Sequence, residues 1–203
     1  MKRALDIAIS AVALVVTAPI QLATGGVVLA ALGRPVLFRQ PRPGLNAVVF
    51  ELVKFRTMRE PDAKYTTDAE RLTGIGRFLR STSLDELPTL WNVLKGDMSL
   101  VGPRPLLVQY LERYTPEQAR RHEVRPGITG LAQTMGRNAL SWEQKFAYDI
   151  EYVDHRALRV DLQILLRTVA TVLKRNGISE TGGITMTEFA GSIPDEEIEN
   201  RAH

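Results

Sequence analysis

From Ile7 to Gly33 the chain runs 27 residues without a charge, with Pro19 near the middle and basic residues at both ends. A run of that length exceeds the roughly 20 apolar residues that cross a bilayer. It is about twice the 7–15 residue apolar region of a signal peptide, so a cleaved leader fits poorly despite the Met1-Lys2-Arg3 start. Pro19 lacks an amide donor and crowds the carbonyl four residues back, which predicts a kink or break at Ala18-Pro19. The halves Leu5–Ala18 and Ile20–Leu32 each measure roughly 20 Å, short of a ~30 Å hydrocarbon layer. Lys2 and Arg3 precede the run and Arg34, Arg39 and Arg42 follow it, so the positive-inside rule draws both ends to the cytoplasm. A helix–break–helix that enters and leaves one leaflet fits these facts. A single kinked transmembrane helix is the alternative they leave open.

The other 170 or so residues are those of an ordinary folded domain. Across the whole chain 44% of residues are hydrophobic and 24% charged, enough for a real core. Cysteine is absent and there are three histidines, which excludes a disulfide framework, a thiolate nucleophile and a histidine metal cluster. The formal charge of +3 is small, so anion binding must come from where the basic residues lie. Val36–Arg39 and Val48–Phe55 flank a Pro/Gly/Asn-rich turn and predict a small β-hairpin. Helices are expected over Leu87–Leu94, from Pro116 to His122, from Ser141 onward, and from Asp161 to Lys174, where apolar residues recur at helical spacing. That last stripe suits a core face or an interfacial helix. Leu72-Thr73-Gly74-Ile75-Gly76 lacks the third glycine of a dinucleotide fingerprint and reads as a tight turn between helices.

Chemistry concentrates around Ser83-Leu84-Asp85-Glu86-Leu87-Pro88. Ser83 and Glu86 have the spacing of a capping box, which predicts a helix start near Asp85. A structural cap needs no ring of cations, yet Arg77 and Arg80 lie upstream, Lys95 downstream, and Arg104 stands between two prolines. Adjacent acids amid arginines suit Mg²⁺ and phosphate chemistry. A carboxylate kept ionised by amide dipoles and guanidinium groups can attack phosphorus while its neighbour holds a hard cation. Rigid Pro and Gly loops around Arg104, Arg125 and Arg137 would fix further donors with little entropy left to lose.

Six segments together resemble a known family: Lys54-Phe55-Arg56-Thr57-Met58, Ser83–Pro88, Asn92–Ser99, Val101–Leu106, Arg125–Gly130 and Gly136-Arg137-Asn138. In this order they are similar to the bacterial sugar transferases, and within them to the small monotopic phosphoglycosyl transferases. The resemblance extends to Thr185–Phe189. It implies transfer of sugar 1-phosphate from a UDP-sugar to polyprenyl (undecaprenyl) phosphate with release of UMP, by a covalent ping-pong route that uses Mg²⁺ on the cytoplasmic face. It implies that Asp85 is the nucleophile, that Glu86 and Asp85 hold the metal, and that Lys54, Arg80, Arg104, Arg125, Arg137 and Asn138 bind phosphates and nucleotide. It also implies a re-entrant hairpin broken at Ser-Pro, where this chain has Ala18-Pro19 and so lacks the serine hydroxyl.

The expected architecture is α+β and mainly helical. Residues 1–33 form a re-entrant membrane helix broken at Pro19, 34–177 a catalytic domain with a hairpin and interfacial amphipathic helices, and 178–203 a C-terminal extension. Expected partners are the UDP-sugar, polyprenyl phosphate, the inner-membrane lipid and downstream glycosyltransferases, with no nucleic acid. A non-catalytic membrane adaptor that binds anionic lipid or a partner enzyme is the competing reading, supported by the basic flank and the Leu162–Leu173 stripe.

Overall fold

The computed structural model describes residues 1–136, 139–174 and 188–191. Helix α1 runs from Lys2 to Leu32 without interruption. The expected break at Pro19 is therefore not a break in helical structure: the ring removes one amide donor, and the helix continues on either side of it. Two side chains next to Pro19 engage the helix there. Thr17 Oγ1 donates to the carbonyl of Ala13 at 2.6 Å, and Gln21 Nε2 donates to Thr17 Oγ1 at 2.9 Å. This is the hydroxyl-to-carbonyl bonding, four residues back, that accompanies bending in helices.

The faces of α1 are reversed relative to a soluble helix. Its buried residues are Asp6, Ser10, Thr24 and Val28, whereas Val12, Val15, Val16, Ile20 and Leu22 are exposed. Asp6 accepts from the Ser99 hydroxyl at 2.8 Å and from the Leu100 amide at 3.1 Å. Lys2 reaches the Val101 carbonyl and Asp161, and Arg3 reaches the carbonyls of Val93 and Leu94. At the other end Arg56 donates to the carbonyls of Leu32 and Gly33, a cation closing a helix C-terminus. Both ends of a helix about 46 Å long are thus tied to one folded body.

The predicted hairpin is present and longer than its alternation suggested: β1 (Leu37–Pro43) pairs antiparallel with β2 (Val49–Phe55) through a 3₁₀ turn at Leu45–Ala47. Pro41 and Pro43 sit in β1, which is tolerable because each strand of a two-stranded ribbon has a free edge. The other edge of β2 is satisfied by side chains. Asn92 accepts from the Val53 amide and donates to the Glu51 carbonyl, and the Thr89 hydroxyl donates to the Val53 carbonyl. These bonds do the work of a third strand.

After β2 come α2 (Asp68–Arg71) and α3 (Gly74–Thr82). The Gly74-Ile75-Gly76 segment, expected as a turn, is the first turn of α3, capped by Thr73. Gly76 is required by packing: a Cβ there would lie 1.9 Å from the Thr57 carbonyl oxygen, whereas one at Gly74 would meet nothing within 4 Å. Gly76→Ala is expected to lower stability by about 3 kcal/mol or more, with Gly74→Ala near neutral, in thermal unfolding of the reconstituted protein. Equal midpoints for the two variants would refute this account.

The remaining helices are α4 (Leu90–Lys95), α5 (Pro116–Ala119), α6 (Leu131–Met135), α7 (Trp142–His155) and α8 (Leu158–Lys174). α5 and α7 begin with the expected proline and Ser141 signals, each completed as a capping box. Two three-residue strands that the sequence did not reveal, β3 (Ser99–Val101) and β4 (Gly127–Thr129), pair in parallel. The main core joins Leu52, Val93, Met98, Val101, Tyr152 and Ile164. Helix α8 buries Asp161 and Ile164 but exposes Leu162, Leu166 and Val169. Phe189, near the chain's end, is buried with Tyr110 and Phe146.

Candidate functional site

The Asp85-Glu86 pair is presented by a 3₁₀ turn, Leu84–Thr89, wedged between α3 and β2. The expected capping box is not formed. Ser83 instead adopts a left-handed conformation (φ 57°) that ends α3, and its carbonyl, not its side chain, accepts from the Glu86 amide. The sharp corner that results carries the two acids towards the hairpin.

Asp85 is buried, at 4% exposure, and among the described residues no donor hydrogen-bonds its carboxylate. Burial, with Glu86 beside it, pushes its pKa above the usual carboxylate range, while Lys54, Arg80 and Arg104 oppose the shift. Glu86 pairs with Arg104 at 2.9 Å. This acid holds the Arg104 guanidinium more firmly protonated. Burial pushes the Lys54 ammonium down, and so does the neighbouring Arg104 charge. Arg80 is held by the Thr57 hydroxyl at 3.1 Å and by Met58 Sδ. Five of the residues singled out in the sequence therefore form a single electrostatic cluster: Lys54, Arg80, Asp85, Glu86 and Arg104.

Arg104 owes its place to the strands that escaped the sequence reading. The segment after β3 is locked to β4, with the Gly102 amide on the Thr129 carbonyl and the Gly127 amide on the Pro103 carbonyl, both at 2.9 Å. Any Cβ at Gly102 would lie 2.3 Å from the Arg125 carbonyl oxygen, so the two loops touch backbone to backbone. The Arg104 carbonyl accepts from Arg121 at 2.7 Å, and Arg121 is paired with Asp149, both side chains being almost wholly buried.

Arg125 does not join the cluster. Its Nε donates to the Gly96 carbonyl at 2.9 Å, and it does not line the pocket beside Glu86. Arg137 and Asn138 lie outside the described residues. The pocket is walled by Arg42, Lys54, Glu86, Thr89 and Arg104 over a floor that includes Leu52, Met98, Leu106 and Ile128. The sequence pointed to Arg42 only as part of the basic flank of the apolar run, not as a site residue. The signal lies in register: Arg42 stands opposite Phe50 and Phe38 opposite Lys54, and residues facing across a ladder share a face.

Asp85 and Glu86 fit a hard divalent cation by donor type, and their mutual repulsion is what such an ion would relieve. Among the described residues no three metal-ligating side chains come together. A cation held here would take one or two carboxylates and complete its shell with water and phosphate oxygens, as Mg²⁺ does.

Comparison with known proteins gives a consistent result. Residues 1–175 match the bacterial sugar transferase family. The chain is 52% identical over 195 residues to the uncharacterized sugar transferase EpsL of Bacillus subtilis (strain 168), covering 95% of this chain and 96% of that one. It is 43% identical over 185 residues to a UDP-glucose:undecaprenyl-phosphate glucose-1-phosphate transferase of Caulobacter vibrioides, covering 85% and 69%. It is 37% identical over 198 residues to an undecaprenyl-phosphate galactose phosphotransferase of Salmonella typhimurium, covering 87% of this chain and 41% of that longer protein.

Proposed function

Because the chain belongs to the bacterial sugar transferase family, we propose that it moves sugar 1-phosphate from a UDP-sugar to undecaprenyl phosphate through a phosphosugar ester on Asp85. Family membership makes it a transferase, which removes the ground for a non-catalytic adaptor. The observation that carries the reading is the buried Asp85 carboxylate, free of donors among the described residues and flanked by three cations. An oxyanion unencumbered by hydrogen bonds is a good nucleophile, and cations fixed beforehand stabilise the charge that gathers on the phosphoryl oxygens.

In the first half-reaction an Asp85 oxygen bonds to the β-phosphorus, the bond from that phosphorus to the bridging oxygen breaks, and UMP departs with the bonding pair. In the second, an oxygen of undecaprenyl phosphate attacks the same phosphorus and Asp85 leaves as carboxylate. Lys54, Arg80 and Arg104 neutralise the transferred group in both halves. Mg²⁺, held by Glu86 with Asp85, would shield the phosphate charges.

The polar inner face and apolar outer face of α1 support a helix seated in one leaflet, with the catalytic body on the cytoplasmic side. The exposed Leu162, Leu166 and Val169 of α8 offer an interfacial face of the same kind. Ties at Lys2 and Asp6 and at Leu32 to one body are what a re-entrant helix requires. The chain has no cysteine, so one inserted after Met1 and one at Arg34→Cys report topology directly. Both are expected to react with an impermeant maleimide only from the cytoplasmic side; reaction from opposite sides would mean a span. The function itself is tested by UMP release from undecaprenyl phosphate, Mg²⁺ and a panel of UDP-sugars. Release with one donor supports it, and a protein that neither releases nor binds UMP refutes it.

A further inference from the structure

Arg42 is a guanidinium set in the wall of this pocket, with no acid paired to it among the described residues. Its Nη2 donates to Gln40 Oε1 at 2.6 Å and its Nη1 to the Pro105 carbonyl at 3.3 Å, both neutral acceptors. Its Nε is buried with no hydrogen-bond partner. Arg104, Arg121 and Arg56 each pair with a carboxylate, Glu86, Asp149 and Glu60, and Arg80, though bonded to Thr57 and Met58, has the Asp85 charge close by. Among the described residues no acid lies within ion-pair distance of Arg42, and its charged neighbour is Arg104, of like sign.

Burial, and then Arg104, push the Arg42 pKa down to about 10, so the group stays charged at neutral pH yet in a setting that disfavours the charge. A desolvated cation without a counter-ion is costly, and an arriving anion removes that cost. Among the described residues at and beside the pocket, the cations Arg42, Lys54, Arg80 and Arg104 outnumber the acids Asp85 and Glu86. That excess of cations favours an anion. The clamp by Gln40 and Pro105 fixes the fork before any ligand arrives, which suits bidentate contact with phosphoryl oxygens.

We propose that Arg42 binds phosphoryl oxygens of a substrate in this pocket, a contact that rests on the transferase reading and adds a residue to it. Two sources share that chemistry, the diphosphate of the nucleotide sugar and the phosphate of the polyprenyl acceptor. Arg42→Gln keeps a shorter polar side chain but removes the charge. Arg42→Lys keeps the charge but not the fork.

In the full-length reconstituted protein, inorganic pyrophosphate is expected to bind most tightly to the wild type, less to the lysine variant and about tenfold or more weakly to the glutamine variant, with neither variant melting below the wild type. KM for UDP-sugar and for undecaprenyl phosphate, measured separately for the glutamine variant, then identify the source. A rise confined to one names that substrate, and a rise in both means that one subsite serves both half-reactions. Folded variants with wild-type pyrophosphate affinity and both KM values unchanged would overturn the proposal and leave Arg42 as a clamp on the Pro105 loop. If the glutamine variant does not fold, the lysine variant decides: a threefold or greater loss supports phosphate contact, and equality refutes it. Failure of the transferase reading would look different, since the wild type itself would then release no UMP.

Discussion

Asp85→Asn is expected to reduce UMP release at least about 1,000-fold while leaving UMP binding within a few-fold of wild type, since the change removes the attacking oxyanion but not the cations that hold the nucleotide. The raised pKa of Asp85, caused first by burial and then by Glu86, adds two consequences. The wild-type rate should climb with pH along an acid limb displaced above the ordinary carboxylate range, because only the ionised form attacks. Stability should move the other way. In the unfolded chain Asp85 ionises at its ordinary pKa, so as pH rises from there through the folded value the folded state increasingly carries an unfavourable charge. The asparagine variant, neutral throughout, should therefore melt at a higher temperature than wild type at neutral pH, with the gap closing at low pH. Near-normal turnover, or a melting difference that ignores pH, would remove Asp85 from its proposed role.

The second large effect lies behind Arg104. Asp149 and Arg121 form an ion pair with side-chain exposures of 5% and 2%, and Arg121 also serves Tyr114 and the Arg104 carbonyl. Deleting one partner strands the other charge in the interior. Asp149→Ala is expected to cost roughly 3–5 kcal/mol, seen as a fall of about 10 °C in the thermal midpoint. The double change Arg121→Met with Asp149→Leu should recover most of that stability, because a buried pair exchanged for apolar groups of similar volume is often close to neutral. It should not recover catalysis, because the Arg104 carbonyl would still lack its donor. A double variant with both stability and turnover restored would show that Arg121 does nothing for Arg104.

What the sequence revealed followed local rules. The hairpin came from alternation, α5 and α7 from their capping residues, α8 from its apolar stripe, and the placing of Asp85 and Glu86 near Lys54, Arg80 and Arg104 from segments recognised together. What it hid depends on distant partners. Strands β3 and β4 are three residues each, too short for any period, and sit among prolines and glycines. Gly76 is explained by the Thr57 carbonyl nearly twenty residues away. Ser83 offered a cap by spacing and became the left-handed joint that turns the chain, a choice made by the packing of α3 against the acidic turn. Arg42 counted as part of a basic flank until the β1–β2 register put it on the face of Lys54.

The polar contacts of the first helix bear on the order in which the chain can mature. Asp6 needs Ser99, 93 residues later, and Lys2 needs Asp161, 159 residues later. At roughly 5–20 residues per second, Asp161 leaves the ribosome some 8–32 s after Lys2. During that interval the apolar surface of the helix can already engage lipid, while its carboxylate and ammonium have no protein to meet. Contact with lipid can thus precede docking, and this helix is among the last elements to reach its final contacts.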